Sequence, residues 1–426
     1  MFAGFSKIKI TPPLGTKMFG WGDRDSDHGC DGIHDDLFVR ALWVSQDEQE
    51  VLILGFDLLF FSRDIADRLR GAIGRRFGLA PKQVLLNTSH THDGPATGAW
   101  AFALFNGLDC LYIDSVEQAI FNACSEAKES TRPVTVAAGE TSCDMLVSRR
   151  TLDENGNTLW IPNYDAPVYN NIPICLLKDA NDSPVCLLFS VSCHPATIYS
   201  YLISADYPGT AMSIIDSDMG VECSLFLQGV GGDAMVKSIS NKNIFGKKWE
   251  DAYEAGKQVA EAIMETVHSG LSPIEPDLCA NELEIFLPIT PIPDRNWFET
   301  LVKSSDSGEL LRLWAQRQLE LLDRGMALST SLPVTLHGIR FGKGLRIAGL
   351  EGEVVAEHGT LIRDFYGSGV TFPMGYTDGC QVYIPTSKML DEGGYEVDSY
   401  YEYGCPAPLS SGIEDKIIEG LKHLRI

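Results

Sequence analysis

Residues 84–95 read VLLNTSHTHDGP. Apolar residues give way to polar ones and then to His90-Thr91-His92-Asp93-Gly94-Pro95, the pattern of a buried strand that ends in a loop carrying two imidazoles. Alternate residues of a strand share a face, so strand pairing that persists through His92 turns both rings the same way. Two adjacent imidazoles are half of a divalent metal site, since zinc takes three or four nitrogen, sulfur or oxygen ligands. The alternative is that one histidine caps the strand and the other is solvated. The rest of the chain has to supply further ligands.

Outward from this stretch the same arrangement recurs. Residues 51–56 read as a strand, and 64–77 as an amphipathic helix with Ile65, Leu69 and Ile73 on one side, closed by Gly78. Strand, helix and strand thus follow one another, and the histidines fall at the C-terminal end of the second strand, where ligands bind in α/β sheets. Residues 185–192 form a strand paired with 173–178, and it runs directly into Cys193-His194-Pro195. A helix that Pro208 can open comes next, then a strand at 224–228 that ends in Gly229-Val-Gly-Gly-Asp233. Further strands are expected at 7–11, 37–44, 134–138, 283–287, 334–341, 345–350 and 370–376, with helices at 114–127, 247–267, 309–322, 354–365 and 413–424. Ser148-Arg149-Arg150 reads as a polar loop, as does 377–385, which contains Tyr383. The charged segment 20–32, with Arg24, His28 and four aspartates, is too long for a mere connector and is expected to fold over something. The fold class is α/β, a single large domain with sheets flanked by helices, since no repeat or Pro/Gly/Ser-rich linker divides the chain.

Composition narrows the function. The chain has 426 residues, 44% hydrophobic and 22% charged, which describes a packed globular protein. A net charge of −24 disfavours nucleic acid and anionic lipid headgroups as partners and leaves a small-molecule substrate. No apolar run is long enough for membrane insertion. The eleven cysteines contain no CxxC pair, and several, such as Cys175, Cys186 and Cys193, lie in apolar runs, which suits a reduced, cytoplasmic protein. The N-terminal MFAGFSKIKITPPLG lacks the layout of a signal peptide. Oligomeric state is not legible.

Five motifs in order carry a family resemblance: SHTHDGP, SCHPATIYSYLISADYPG, QGVGGDA, LEGEVV, and YTDGCQVYIPT with GGYE after it. Together with KITPPLG and GIHDDLFVRAL they resemble the catalytic domain of the neutral (alkaline, non-lysosomal) ceramidases and their bacterial relatives, over about residues 5–400. The resemblance implies one neutral-ceramidase-like catalytic domain over 1–426, without the C-terminal β-sandwich domain of that family, and with a zinc site at strand C-terminal ends. It implies Zn2+ held by His90, His194, Glu353 and Tyr383, a donor set that suits zinc and leaves a position for water. It further implies a proton-transferring or oxyanion-stabilising role for His92, a substrate-binding role for Arg149, with Arg150 as the alternative, and an oxyanion donor in Tyr395. Asp206 and Asp233 are candidates to orient the histidines, or are simply cap and turn residues.

Two departures bear on activity. Family ceramidases carry a serine shortly after the Gly-Asp step, whereas Gly232-Asp233-Ala234-Met235 offers no hydroxyl. The acidic chain, with neither leader nor β-sandwich, suits a smaller and more polar amide better than ceramide. The expected function is therefore zinc-dependent hydrolysis of an amide. The alternatives are a carbohydrate-active hydrolase or lyase on the same scaffold, with Trp21, Trp100 and Trp160 lining a sugar cleft, or a non-catalytic metal-binding homologue, suggested by Met235. Barrel-forming amidohydrolases also carry His-x-His, but on their first strand and with further His and Asp ligands.

Overall fold

Runs such as ALWV (41–44) and VLIL (51–54) are apolar at every position rather than at alternate ones, which calls for a sheet covered on both faces. The computed structural model, which describes residues 1–25, 27–98 and 109–426, contains such a sheet. Its strands are β1 (Phe2–Lys9), β2 (Phe38–Gln46), β3 (Gln49–Phe56), β4 (Val84–Thr88), β5 (Arg132–Ser142), β8 (Asn171–Asp179), β9 (Pro184–Val191) and β10 (Ser224–Gln228). Between β5 and β8 in the chain come β6 (Leu146–Leu152) and β7 (Thr158–Asn163), which belong to a separate small sheet with β11 (Ala234–Val236). The large sheet runs β10-β9-β8-β5-β1-β2-β3-β4, and Ser272–Ile274 pairs with β5 to give nine strands among the described residues. Only β3 with β4 and β9 with β10 are parallel in it.

A second sheet, β12-β13-β14-β15, is built from Pro276–Pro288, Ser331–Gly342, Leu345–Leu350 and Val370–Met374. One core lies between the sheets, where Ile53, Leu85, Cys175, Leu188 and Leu227 of the first meet Ile339, Phe341, Ile347 and Met374 of the second. The outer face of the large sheet is covered in two places. Helices α1 (Arg63–Phe77) and α2 (Cys110–Glu129) pack on β2 to β4, while α3 (Asp206–Met219) and α4 (Trp249–Ser269) pack on β8 to β10. Beyond α4 in the chain, α5 (Arg295–Lys303) and α6 (Glu309–Asp323) pack on each other. The outer face of the second sheet carries α7 (Ala356–Tyr366) and α8 (Ile413–Leu424). The result is a four-layer α/β/β/α domain, in which strands such as β2, β3, β4, β9 and β10 bury both faces, and their continuous apolar runs are explained.

The two end strands of the large sheet meet at one side chain. The Asn87 amide donates to Gln228 O (3.4 Å) and its Oδ1 accepts from Gln228 N (2.7 Å), as a backbone peptide of β4 would. Residues after β15 complete the seam, since Asp378 N donates to Leu86 O (2.8 Å) and Asn87 Nδ2 to Gly375 O (2.9 Å).

Helix α1 is closed by Gly78 in the left-handed conformation, as expected. Two segments depart from expectation: within 377–385, Tyr383 and Ile384 form a two-residue strand, and Ser148, Arg149 and Arg150 lie on β6, not in a loop. All three are buried, because the strand pairs on both sides and the guanidinium groups find carboxylates, so a polar run stays extended. All eleven cysteines are free. No helix among the described residues is long and apolar enough to cross a membrane.

Candidate metal centre and its cavity

The two histidines of the opening stretch come together by a route the strand period did not give. Pairing of β4 ends at Thr88, and His90 takes the left-handed conformation at φ 67°. That costs a non-glycine residue about 1–2 kcal/mol. It is held by bonds from Ser89 N to Phe56 O and from His90 N to Leu58 O, both 2.8 Å, while His92 N donates to Pro195 O at 3.0 Å. The rings converge nonetheless, with His90 Nε2 and His92 Nε2 3.2 Å apart. A bend in the backbone, not strand alternation, places them.

His194 follows the C-terminal end of β9, and Glu353 follows that of β14. Glu353 pairs in a two-residue parallel bridge with Tyr383, which carries that tyrosine to the same point. Glu353 Oε2 lies 3.2 Å from both His90 Nε2 and His194 Nε2, and the Tyr383 hydroxyl lies 3.3 Å from His194 Nε2. The other ring nitrogens are committed: His90 Nδ1–H donates to Leu59 O (3.0 Å) and His194 Nδ1–H to Gly231 O (2.6 Å). That fixes the tautomer and leaves both Nε2 lone pairs facing Glu353. Nitrogen atoms of His90, His92 and His194 fall within the mutual reach of metal ligands, 4.8 Å.

Electrostatics favour the ligand forms of these groups. Burial depresses His194 to about 4 and holds His92 well below the usual imidazole value, so both rings are neutral at pH 7. Burial opposes ionisation of Glu353, but the electrostatic field of the adjoining His90 outweighs it and holds the carboxyl well below its usual range. Tyr376 donates to its Oε2 (3.2 Å) and Tyr403 to its Oε1 (2.5 Å). Burial pushes the Tyr383 phenol well above its usual value, so it keeps its proton in the metal-free protein. Two free imidazole lone pairs, one carboxylate and one phenol oxygen fit a borderline-soft divalent ion. His92 differs from its neighbours, since its Nδ1 is buried with no partner.

Of the two adjacent arginines only Arg149 faces this cavity. Its Nε donates to Glu396 Oε1 at 2.7 Å, its guanidinium stacks over Trp160 at 4.1 Å, and its Nη2 is buried without a partner. Arg150 turns away to Glu396, Glu392 and Gly393 O. Tyr395 stands at the rim, half-exposed, with its hydroxyl donating to Glu402 Oε2 at 2.8 Å. Met235 lines the wall. His90, His92, His194, Glu353, Tyr383, Arg149 and Tyr395 thus border one cavity of about 360 Å³, together with Trp21, Trp160, Leu310 and Tyr403. Trp100 lies outside the described residues.

Neither aspartate orients a histidine. Asp206 accepts from Thr197 N, Thr197 Oγ1 and Tyr207 N at the start of α3, and Asp233 accepts from Ala356 N at the start of α7 (2.8 Å). Carbonyls do the orienting because the rings back onto loop backbone. Sequence reasoning also missed Tyr376 and Tyr403. The first sits beside Thr377-Asp378 in a motif already singled out, and the second in the tyrosine-rich 395–403 segment, the one local signal available.

The charged segment after Gly20 does fold over the site. Arg24 donates to His92 O (3.2 Å), Asp93 Oδ1 (3.0 Å) and Ser200 O (2.9 Å), and Trp21 packs edge-on against His92 with centroids 5.1 Å apart. Two other features are set aside on chemistry. His337 has both nitrogens engaged, to Asp378 Oδ2 (2.5 Å) and Lys82 O (2.9 Å), and Arg70 already neutralises the carboxylates beside it. A larger cavity, about 830 Å³, is lined by Lys7, Arg40 and Asp57 among others and shares no residue with the histidine site.

No family model and no curated protein matches the chain. Solved structures do. A neutral ceramidase from Pseudomonas aeruginosa matches with a TM-score of 0.76 at 15% identity, over 100% of this chain and 74% of that one. A ceramidase complexed with C2 matches with a TM-score of 0.75 at 15% identity, over 100% and 75%. The ceramidase-like resemblance read from the motifs therefore holds at the level of the fold.

Proposed function

We propose that this chain, which shares the neutral-ceramidase fold, is a zinc-dependent hydrolase that cleaves an amide bond in a small, polar substrate. The observation that carries the reading is the placement of Glu353 Oε2 at 3.2 Å from two imidazole nitrogens whose opposite nitrogens are both tied to carbonyls. His90, His194, Glu353 and Tyr383 would hold the ion. When bound, such an ion supplies Lewis acidity, polarising a carbonyl and acidifying water toward neutral pKa.

The chain's own residues do the rest. His92 is neutral and turns Nε2 toward the site, so it can take a proton from water and return one to the leaving nitrogen. Arg149 offers Nη2 to a substrate oxygen, and Tyr395 offers its hydroxyl to the developing oxyanion in exchange for Glu402. No side-chain hydroxyl replaces the family serine at Met235, which favours water as nucleophile. At about 360 Å³ the cavity is near the low end of the roughly 300–1,000 Å³ range of small-molecule sites, which supports a compact substrate rather than a two-chain lipid. The free thiols and the net charge of −24 support a reducing, cytoplasmic setting and a small molecule, not nucleic acid or membrane, as partner.

Trp21 and Trp160 on the cavity wall favour a second reading, hydrolysis or elimination at a sugar. One experiment addresses both: metal content of protein purified without added metal, in wild type and in His90→Ala, His194→Ala and Glu353→Ala, followed by amide and glycoside turnover. Near-stoichiometric zinc, lost in each variant, with amide cleavage is the expected result. Folded wild type that neither carries nor takes up zinc refutes the mechanism.

A further inference from the structure

Hydrogen-bond accounting of the cavity points to the kind of substrate it takes. Outside the imidazoles, its two carboxylates are engaged: Glu353 receives Tyr376 and Tyr403, and Glu402 receives Tyr395. Apart from His92, two donors are not. Arg149 Nη2 and the Trp21 indole N–H are buried and have no partner among the described residues, on residues that line the same cavity from β6 and from the segment after Gly20. An unsatisfied buried donor costs about 1–3 kcal/mol, more when charged, so a site that carries two is complementary to a ligand rich in acceptors.

Charge adds a sign. Behind the wall, Arg149 and Arg150 share Glu396, and Arg150 also pairs with Glu392. Arg149 keeps only one carboxylate bond and faces inward, stacked on Trp160. Glu353 and Glu402 also line the cavity, so the selectivity lies in this one buried guanidinium, whose unused N–H favours a charge-assisted bond to an anionic oxygen. Trp21 is positioned with equal care, since Gly20 allows the backbone to run against His92 and Arg24 pins the segment.

We propose that the substrate is a compact amide bearing a carboxylate, of the N-acyl amino acid class, with Arg149 Nη2 and the Trp21 N–H as its recognition pair. The inference rests on the hydrolase reading but is tested apart from it, by binding. N-acetylglycine and its neutral isostere N-acetylglycinamide are titrated calorimetrically into wild type, Trp21→Phe and Arg149→Gln. Trp21→Phe keeps an aromatic ring but removes the donor together with part of the indole, and the neutral amide probe reports the effect of the lost bulk alone.

The carboxylate is expected to bind at least tenfold more tightly than the amide. Trp21→Phe should weaken it about 3- to 10-fold, the size of one hydrogen bond, and Arg149→Gln should erase the preference. Equal affinity for the two probes, no binding of either at millimolar concentration, or an unchanged affinity in Trp21→Phe overturns the proposal. The last outcome also identifies a carboxylate that merely ligates a metal. N-acetylglycine bound but never cleaved leaves the recognition pair standing and removes the hydrolase. Both amides cleaved equally fast removes the recognition pair and leaves the hydrolase.

Discussion

Replacing Arg24 with Met tests whether the segment over the site is held by a single buried cation. Arg24 and Asp93 have side chains only 1% exposed, and the guanidinium binds Asp93 Oδ1, His92 O and Ser200 O within 3.2 Å. Methionine retains most of the apolar stem but leaves Asp93 buried without its cation, and Asp93 Oδ2 already lacks a partner. Breaking such a pair from one side costs about 3–5 kcal/mol, because the remaining charge is uncompensated. Removing both partners costs much less, so Arg24→Met with Asp93→Asn should recover about 2 kcal/mol over the sum of the single changes. The pH dependence has a definite sign. Burial pushes Asp93 above its usual value and Arg24 pulls it back, so loss of Arg24 raises it further. A carboxyl raised in the folded state favours that state when protonated, so the deficit should shrink as pH is lowered from 8 to 5. Urea unfolding at both values provides the assay. A loss under about 1 kcal/mol, additivity of the double change, or a deficit that grows toward pH 5 refutes the account.

Other outcomes follow from single contacts. At Gly20 φ is +124° and an added Cβ would meet His92 Cα at 2.9 Å, so Gly20→Ala should cost about 1–3 kcal/mol of stability in a melt and lower turnover more than it weakens binding. His194 is depressed to about 4 from an ordinary 6.5, so its contribution to metal-free stability, roughly 3 kcal/mol, is complete above 6.5 and lost as pH falls through 4. His194→Gln should flatten that slope in Tm against pH. Burial raises Asp233 to about 6, the opposite sense, so its ionisation penalises the fold above that pH. Asp233→Asn keeps an acceptor for Ala356 N and should be more stable than wild type at pH 8 but not at pH 4, in the same melts.

What could be read from the chain, and what could not, divides along physical lines. Strands that are apolar throughout announce themselves, and so do polar residues at their ends, which is why His90 and His194 are legible as candidates without their geometry, whereas Glu353 and Tyr383 enter only through the motif resemblance. Arg149 was placed in a loop because two adjacent arginines argue against a buried strand. Glu396, almost 250 residues later, reverses that argument by bonding both. The convergence of His90 with His92 depends on a left-handed bend that no residue type signals there. For Asp206 and Asp233 the sequence left two roles open, and the structure takes the cap and turn role, while backbone carbonyls orient the histidines. Arg24 escaped because its partners are separated from it by 68 to 176 positions.

Asn87 has a consequence for how the protein behaves at high concentration. An open sheet has two raw edges, each a template on which another chain can add a strand. Here β4 and β10 approach each other, and the Asn87 side chain imitates a peptide group between them while the backbone at Asp378 caps the same edge. One amide therefore does the work of a missing rung, and both edges are withdrawn from self-association together. A side chain that cannot present both a donor and an acceptor at this position would uncover them together too, so defects here should appear as aggregation before they appear as loss of the cavity.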